Sequence, residues 1–498
     1  MRAASFTRGI AVVAAVLCAP LPASAQVTIE GGGRFDTLSA ALTAAQPGQV
    51  LRIEGPQTGR FVIDSPLTLR GEPGAVLDGA GTGTVLTIAA DGVQIEGLVI
   101  TGSGLSGDFW QSWGAAGVLV EGDRAVLTGL QVSGNAWGVI FRNGQGSELR
   151  DSQVSDNQRD GILVQGGADH TIAGNTVARN RVGIFVDSFY GDTQRVLVPL
   201  FQDPAWNQQL ALAQAGAAPA LRHVIADNAV RGNGSVGIRV QFHTFGIRIE
   251  GNDVFATGIE RAPDPVEAAF WAEALQLTRN SPLELAGAGI AIYCLPEETV
   301  IADNTVHDNR GAGIYLSLAP RNRVEHNLVQ RNAIGIDVAS AQDNDLRGNV
   351  VRDNRDYGIR LAGWMMMGQG RPDRNVIHLN DLAGNGVNAF DASDRLLTAA
   401  EIADDLALMP WPEDMRVVYD NPVYRLQMAQ MLVGQQQVAH NRWDDGSFGN
   451  HHDDFDTPPE GFRDTDGDGI GEAGRAIPGG GAVDSFPLTS EALAAALR

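Results

Sequence analysis

Asp464, Asp466 and Asp468, with Gly469 next, stand where positions 1, 3, 5 and 6 of a calcium-binding loop would fall. Carboxylate oxygens at that spacing wrap a hard cation. The Ile470 carbonyl would fill position 7 and Glu472 position 9, but position 12 is Arg475 and not the bidentate Glu. The loop is therefore partial, and a carboxylate from elsewhere, such as Asp484, would have to complete it. We expect a structural Ca2+ here, clamping the C-terminal end; the plainer alternative is a solvated Asp/Gly turn.

A second set of residues is soft. After Met1, every methionine falls between 365 and 431: Met365, Met366, Met367, Met409, Met415, Met428 and Met431. Thioethers suit Cu(I), and imidazole suits copper of either valence. The Trp364-Met365-Met366-Met367 run is odd for a core, whereas Met428 and Met431 also fit ordinary helix packing. His440, His451 and His452, with Asp453 and Asp454, form the densest His/acid cluster, although without a rigid metal-ligand spacing. The candidate copper contacts are thus Met365, Met366, Met367, Met428, Met431, His440, His451 and His452. His170, His223, His243, His307, His326 and His378 are scattered along the chain. Cys294 alternates with Ile290 and Ile292 and reads as a buried core thiol. Phe109, Trp110 and Trp113, with Trp137, would make either a sugar-stacking platform or local packing.

Lysine chemistry is excluded, and sugar-active chemistry lacks its usual motifs. All 36 basic residues are Arg, so Schiff-base lysines and the phosphate-binding P-loop lysine are ruled out. A polyuronide lyase or epimerase needs charge neutralisation and a base. No Asp-Pro-His-Asp motif is present, nor the Asn-Thr-Asp, Asp-Asp and Gly-His-Gly set of a β-helix hydrolase. The formal net charge of −23 opposes nucleic acid, anionic lipid and polyanionic substrates, and suits a cationic cargo.

The elements that hold these residues follow from the rest of the chain. It has 498 residues, 44% of them hydrophobic and 61 of them Gly, enough apolar content for a large core. Residues 1–25 read as an export leader: Arg2 and Arg8, an apolar run from Ile10 to Ala19, then Ala23-Ser24-Ala25, with cleavage before Gln26. That places the protein in the periplasm. No later apolar stretch is long enough to cross a bilayer.

From Gly117 onward, a Gly followed by an aliphatic residue and an alternating strand recurs at Gly138, Gly161, Gly183, Gly237, Gly289, Gly313, Gly335 and Gly358. The intervals are 21, 23, 22, 54, 52, 24, 22 and 23, one period of about 22 residues with two long insertions. Asn135, Asn157, Asn180, Asn233, Asn309, Asn332 and Asn354 precede the glycines, and Asn175, Asn228, Asn252, Asn304, Asn327 and Asn349 open the preceding short strands. Three short strands and three turns fit such a period, and stacking at ~4.8 Å pairs each strand with its counterpart in the next coil. The expected fold is an all-β, right-handed parallel β-helix with buried amide ladders and the glycines in turns of positive φ. A helix starting after Asp36-Thr37 and carrying Leu38, Ala41, Leu42 and Ala45 would plug the N-terminal end. Irregular coils would follow between Val50 and Gly104. The solenoid would run over 26–391, with insertions near 187–222 and 255–288, a helical insertion over 392–437 and a C-terminal cap over 438–498. Solenoid insertions are expected to leave from one turn and to gather on a binding face.

Several segments carry a family resemblance. Phe35-Asp36-Thr37-Leu38, Pro47-Gly48-Gln49-Val50, Val62-Ile63-Asp64-Ser65-Pro66-Leu67-Thr68-Leu69, Val76-Leu77-Asp78-Gly79 and Val93-Gln94-Ile95-Glu96-Gly97-Leu98 resemble the opening of NosD-type proteins. Asn441-Arg442-Trp443-Asp444, Gly449-Asn450, the Asp464–Gly471 loop and Val483-Asp484-Ser485-Phe486-Pro487-Leu488 resemble their end, a pattern shared with other exported β-helix proteins. His451 and His452 depart from it, standing where aromatic residues are usual. The resemblance implies a periplasmic, non-catalytic accessory factor of nitrous-oxide reductase maturation, working beside a membrane ABC transporter and delivering copper or sulfur to a copper–sulfide enzyme. A polysaccharide-binding protein, or a polysaccharide lyase, epimerase or hydrolase, is the rival reading.

Overall fold

The structure is a computed structural model, and it describes residues 26–104, 115–188, 219–242, 244–262, 287–293, 295–362, 371–408, 418, 420–436 and 438–498. Three long sheets run its length, and each coil gives one short strand to each sheet. Sheet 1 has 14 strands and ends at Val376–His378; sheet 2 has 13, from Pro56–Thr58 to His451–His452; sheet 3 has 12, from Phe61–Ile63 to Val387–Asp391. From Val50 onward every neighbour in these sheets is parallel, as a right-handed β-helix requires.

Period-two alternation gives the core. Ile290, Ile314, Ile336 and Ile359 lie in register in sheet 3, all fully buried. Stacking like on like keeps each branched side chain against its equivalent one coil away, so a period of about 22 residues yields one continuous core.

The recurrent glycines have a different cause from the one expected. None of those from Gly117 to Gly358 has positive φ. A Cβ at Gly335 would lie 2.4 Å from Val351 Cγ1, 2.5 Å from the Gly358 carbonyl oxygen and 2.8 Å from Asn354 Nδ2. The position is glycine because the next coil's backbone and amide ladder occupy the space. Positive φ falls instead on the residue just before the ladder asparagines, as at Asp156, Arg179, Asp308, Arg331 and Asp353. Asp tolerates that conformation through local hydrogen bonding; Arg there accepts some strain.

The N-terminal end is closed as expected. Helix α1, Leu38–Ala44, is capped by the Thr37 hydroxyl, which accepts from the Ala40 N–H, and it buries Leu38 and Ala41. Gln26–Ile29 adds an antiparallel strand to the N-terminal end of sheet 1, with Arg34–Phe35 outermost. The coils from Val50 to Thr101 are regular in their strands, contrary to expectation; what they lack is the asparagine ladder.

Of the insertions expected near 187–222 and 255–288, residues 189–218 and 263–286 lie outside the described residues. Residues 105–114 and 263–286 fall between a sheet 2 strand and a sheet 3 strand, whereas 189–218, 363–370 and 392–437 follow sheet 3. In chain order, the described strands bordering these segments put the breaks at two corners, one before and one after the sheet 3 strand, where a single turn was expected. Within the last insertion, helices α2 (Ala399–Leu408) and α3 (Pro422–Val433) pack through Ile402, Leu406 and Ala429. A short helix α4, Ser490–Ala496, ends the C-terminal cap, its N-terminus closed by the Thr489 hydroxyl.

Candidate functional site

Three regions hold the candidate residues: the C-terminal end of the solenoid, the outer face of sheet 3 and the α2–α3 hairpin. The first is built by the amide ladders. In the corner between sheets 1 and 2, the Nδ2 of Asn175 donates to Asn228 Oδ1, and the pattern repeats through Asn252, Asn304, Asn327, Asn349 and Asn380 to Asn450, at 2.9–3.0 Å per step. The second ladder runs from Asn135 through Asn157 and Asn180 to Asn233, passes Thr257, and resumes from Asn309 to Asn385. A third ladder, unseen in the sequence, includes Asn322, Asn344, Asn375 and Asn441.

Each of these side-chain steps points its N–H toward the C-terminus, so the amide dipoles add along each ladder. Each ladder meets a carboxylate there. Asn450 Nδ2 donates to Asp484 Oδ2 at 3.3 Å. Asn385 donates to Asn388, whose Nδ2 donates to Asp453 and Asp454 at 2.6 and 3.0 Å. Asn441 donates to the Ser393 hydroxyl, which donates in turn to Asp391. The three termini stack negative charge against the N–H ends of aligned dipoles, as an acidic residue does at a helix N-terminus.

The His/acid cluster is part of this closure. His451 and His452 form the last strand of sheet 2, and adjacent strand residues face opposite sides. His451 Nδ1 lies 2.6 Å from Asp381 and Nε2 3.2 Å from Asp456. Burial opposes charge on this ring, but the two carboxylates outweigh it and hold the pKa above the ordinary histidine value. His452 is fully buried, with Nε2 3.0 Å from Asp484 Oδ2, and its burial pushes the pKa down. His440 is exposed, with Nδ1 3.5 Å from Asp373. The structure thus ties His451 and His452 to carboxylates on different sides and leaves His440 in solvent.

In the Asp-rich loop, Asp464, Asp466 and Glu472 each offer an oxygen within 4.8 Å of the others. Asp468 lies outside that group; its carboxylate accepts from the Ile470 N–H at 2.8 Å. Asp484, considered as a completing ligand, is committed elsewhere. It is buried and accepts from Asn450, His452 and Phe486. The loop is zipped to the solenoid: Gly471 N–H donates to the Pro487 carbonyl, Thr489 N–H to that of Gly469, and Leu488 N–H to that of Asn450.

Of the methionines, Met428 is packed against the α2–α3 core and Met431 is 61% exposed. Met365, Met366, Met367, Met409 and Met415 lie outside the described residues, as do Cys294, Phe109, Trp110, Trp113 and the leader. Trp137 is buried in the cluster on the outer side of sheet 3 and is not presented as an exposed platform.

That outer side was missed in the sequence. Arg239 is 1% exposed although it points away from the solenoid core. Its guanidinium lies 4.7 Å from the centroid of Phe185 and 4.8 Å from that of Tyr293, and donates to Gln241 Oε1 at 2.7 and 3.0 Å. Gln241 donates to Asp187 at 3.3 Å. Two coils beyond Tyr293's, Asp337 accepts two bonds from Arg360, at 2.7 and 3.0 Å, in another buried pair. The signal was available: Gly237-Ile238-Arg239-Val240, Gly335-Ile336-Asp337-Val338 and Gly358-Ile359-Arg360-Leu361 place a charge between two core residues of a strand. Such positions face outward, and here they are buried.

Register, ladders and closed ends together define a right-handed parallel β-helix protein. Within that class the resemblance is to NosD: the family described as "Periplasmic copper-binding protein (NosD)" matches residues 269–399, and the family "Right handed beta helix region" matches residues 74–195. The "Probable ABC transporter binding protein NosD" of Pseudomonas aeruginosa is 32% identical over 136 residues, 26% of this chain and 31% of that protein. Its namesake from Stutzerimonas stutzeri is 36% identical over 107 residues, 22% of this chain and 23% of that protein. The matched stretch spans less than a third of the length of these relatives. Among solved structures, the Azotobacter vinelandii mannuronan C-5 epimerase AlgE6 A-module superposes with a TM-score of 0.50 at 13% identity, covering 71% of this chain and 90% of the module. That likeness concerns the fold alone. Among the described residues, no helix is long and apolar enough to cross a membrane.

Proposed function

We propose that this chain is an exported, non-catalytic accessory factor of copper-centre maturation for nitrous-oxide reductase, working beside a membrane ABC transporter. The observation that carries this reading is the NosD match over residues 269–399, which spans five sheet 3 strands from Ala288–Tyr293 to Val387–Asp391. The names of its relatives as transporter-binding proteins support the partner, and the acidic surface suits a cationic cargo. Copper is a transient cargo here, held softly enough to be released. Its proposed contacts are the Met365-Met366-Met367 run with Met431 and His440. Met428 is committed to packing, and His451 and His452 to the cap. The α2–α3 hairpin supports a docking role, because Val423, Tyr424, Leu426 and Met431 are exposed on one short helix. An uncovered apolar surface of that kind marks an interaction site.

Beside the cargo we propose a structural Ca2+ held by Asp464, Asp466 and Glu472 with the Ile470 carbonyl. Three clustered hard oxygens fit that ion. Its effect would be to brace the loop that is zipped to the last coil.

The test is anaerobic Cu(I) titration of the purified mature chain against a Met365→Leu/Met366→Leu/Met367→Leu variant, a volume-similar change. Weaker binding by the variant is expected. Equal affinity in both clears the Met run of this role. Epimerisation or depolymerisation of alginate by the wild type would replace the accessory reading with the enzymatic one.

A further inference from the structure

The third ladder does not begin with asparagine. Where Asn322, Asn344, Asn375 and Asn441 stand in later coils, two earlier coils carry His170 and His223. The Ser147 N–H donates to His170 Nδ1 at 3.1 Å, and the His170 N–H donates to His223 Nδ1 at 3.1 Å. The rings stack with centroids 5.0 Å apart and planes 8° from parallel. Both are buried, at 1% and 0% exposure.

This geometry fixes the tautomer. Each Nδ1 accepts a backbone N–H, so it carries no proton. His170 Nε2 lies 2.8 Å from the Asn143 carbonyl and must donate to it. The Gly166 carbonyl, one coil on from Asn143, lies toward His223 Nε2 but makes no well-directed hydrogen bond. A second proton on either ring removes the acceptor of a buried N–H and sets two donors against each other. An asparagine carbonyl oxygen in the same place has no such vulnerability.

We propose that the His170–His223 stack is an acid-responsive joint in the third ladder, which couples three coils when both rings are neutral and loosens when either is protonated. Among the described residues, few charged groups face it. Asp169 and Arg222 form a bidentate pair at 2.9 and 2.8 Å that largely cancels, and Asp123 lies near His170. Phe141 packs against the His170 ring at 5.3 Å. Burial lowers the pKa of both rings, that of His223 to about 3, and in His223 the neighbouring His170 adds to the effect. The native state therefore keeps both neutral, while an opened corner takes up protons near the ordinary histidine value. The stabilisation is whole above about pH 6.5 and is lost as pH falls toward the depressed native value.

The experiment is hydrogen exchange on the full mature chain, corrected for intrinsic rates, at the Ser147 and His170 amides. Between about pH 7 and pH 5 the opening constant should rise at least about tenfold, because each opened ring binds a proton. In a His170→Asn/His223→Asn variant, which installs the residue the ladder uses elsewhere, that rise should disappear. An equal rise in the variant, or none in the wild type, overturns the proposal. Ring NMR of the wild type keeps the test independent of the variant's folding. Both rings should titrate below the ordinary histidine value, with Nε2 carrying the proton while they are neutral, and titration of either at or above that value of about 6.5 overturns it.

Discussion

Replacing Asp484 by Asn probes the closure of the solenoid at its most buried charge. Asp484 Oδ2 accepts from the Asn450 N–H at 2.8 Å, from Asn450 Nδ2 at 3.3 Å and from His452 Nε2 at 3.0 Å, while Oδ1 accepts from the Phe486 N–H at 3.2 Å. Asn keeps the shape and exchanges one acceptor oxygen for a donor. In its better orientation the amide oxygen keeps the three bonds at Oδ2 and turns its NH2 toward the Phe486 N–H. One bond to a charged acceptor is then lost and a buried donor is left unsatisfied, each worth ~1–3 kcal/mol. The ladder also loses the negative charge at its N–H end. Relief of carboxylate burial offsets part of this, leaving a net cost to the cap of about 3 kcal/mol. The loss should be local, because each coil contacts only its neighbours. About 3 kcal/mol corresponds to roughly a hundredfold faster exchange through local opening. Exchange mass spectrometry should show it in peptides covering Asn441–His452 and Val483–Leu488, with the coils from Val300 to Ala339 unchanged. Unaltered exchange in the cap, or the same increase in every coil, would refute the idea that Asp484 terminates the ladder.

Three further outcomes follow from the structure. Gly335→Ala should destabilise the chain by about 3 kcal/mol or more, read as a lower denaturation midpoint, because the new Cβ meets a fixed carbonyl. Gly467→Ala, with nothing within 4 Å and a φ of +82°, should cost only ~1 kcal/mol, and the reverse order would contradict the steric account. Chelation should lower the melting temperature of the wild type by mass action and leave an Asp466→Ala variant unmoved; a wild type indifferent to chelator removes calcium from the cap.

The solenoid was legible in the sequence because its physics is local and repeated. A glycine, an aliphatic alternation and an asparagine at a fixed interval determine strand, turn and ladder without reference to distant residues. The same regularity hid two things. The glycines read as positive-φ turn residues, since a linear pattern does not reveal that another coil fills the space beside them. The third ladder escaped notice because its corner varies in length and two of its members are histidines. His451 and His452 were legible as a dense His/acid cluster, but composition could not show that their rings face opposite sides.

The sequence by itself determined the repeat, the inward aliphatic core, the N-terminal plug helix and the helical character of the last insertion, all features set by periodicity and short-range capping. Tertiary structure decided where charge goes. It brought Asp391, Asp453, Asp454 and Asp484 to the N–H ends of three amide ladders, paired Arg360 with Asp337 across coils and laid Arg239 between the rings of Phe185 and Tyr293. Residues dozens of positions apart become neighbours only after the chain has coiled, and a buried charge is tolerated only where its partners then stand. That is why the sheets could be read in advance, whereas the partners of the polar residues had to be seen.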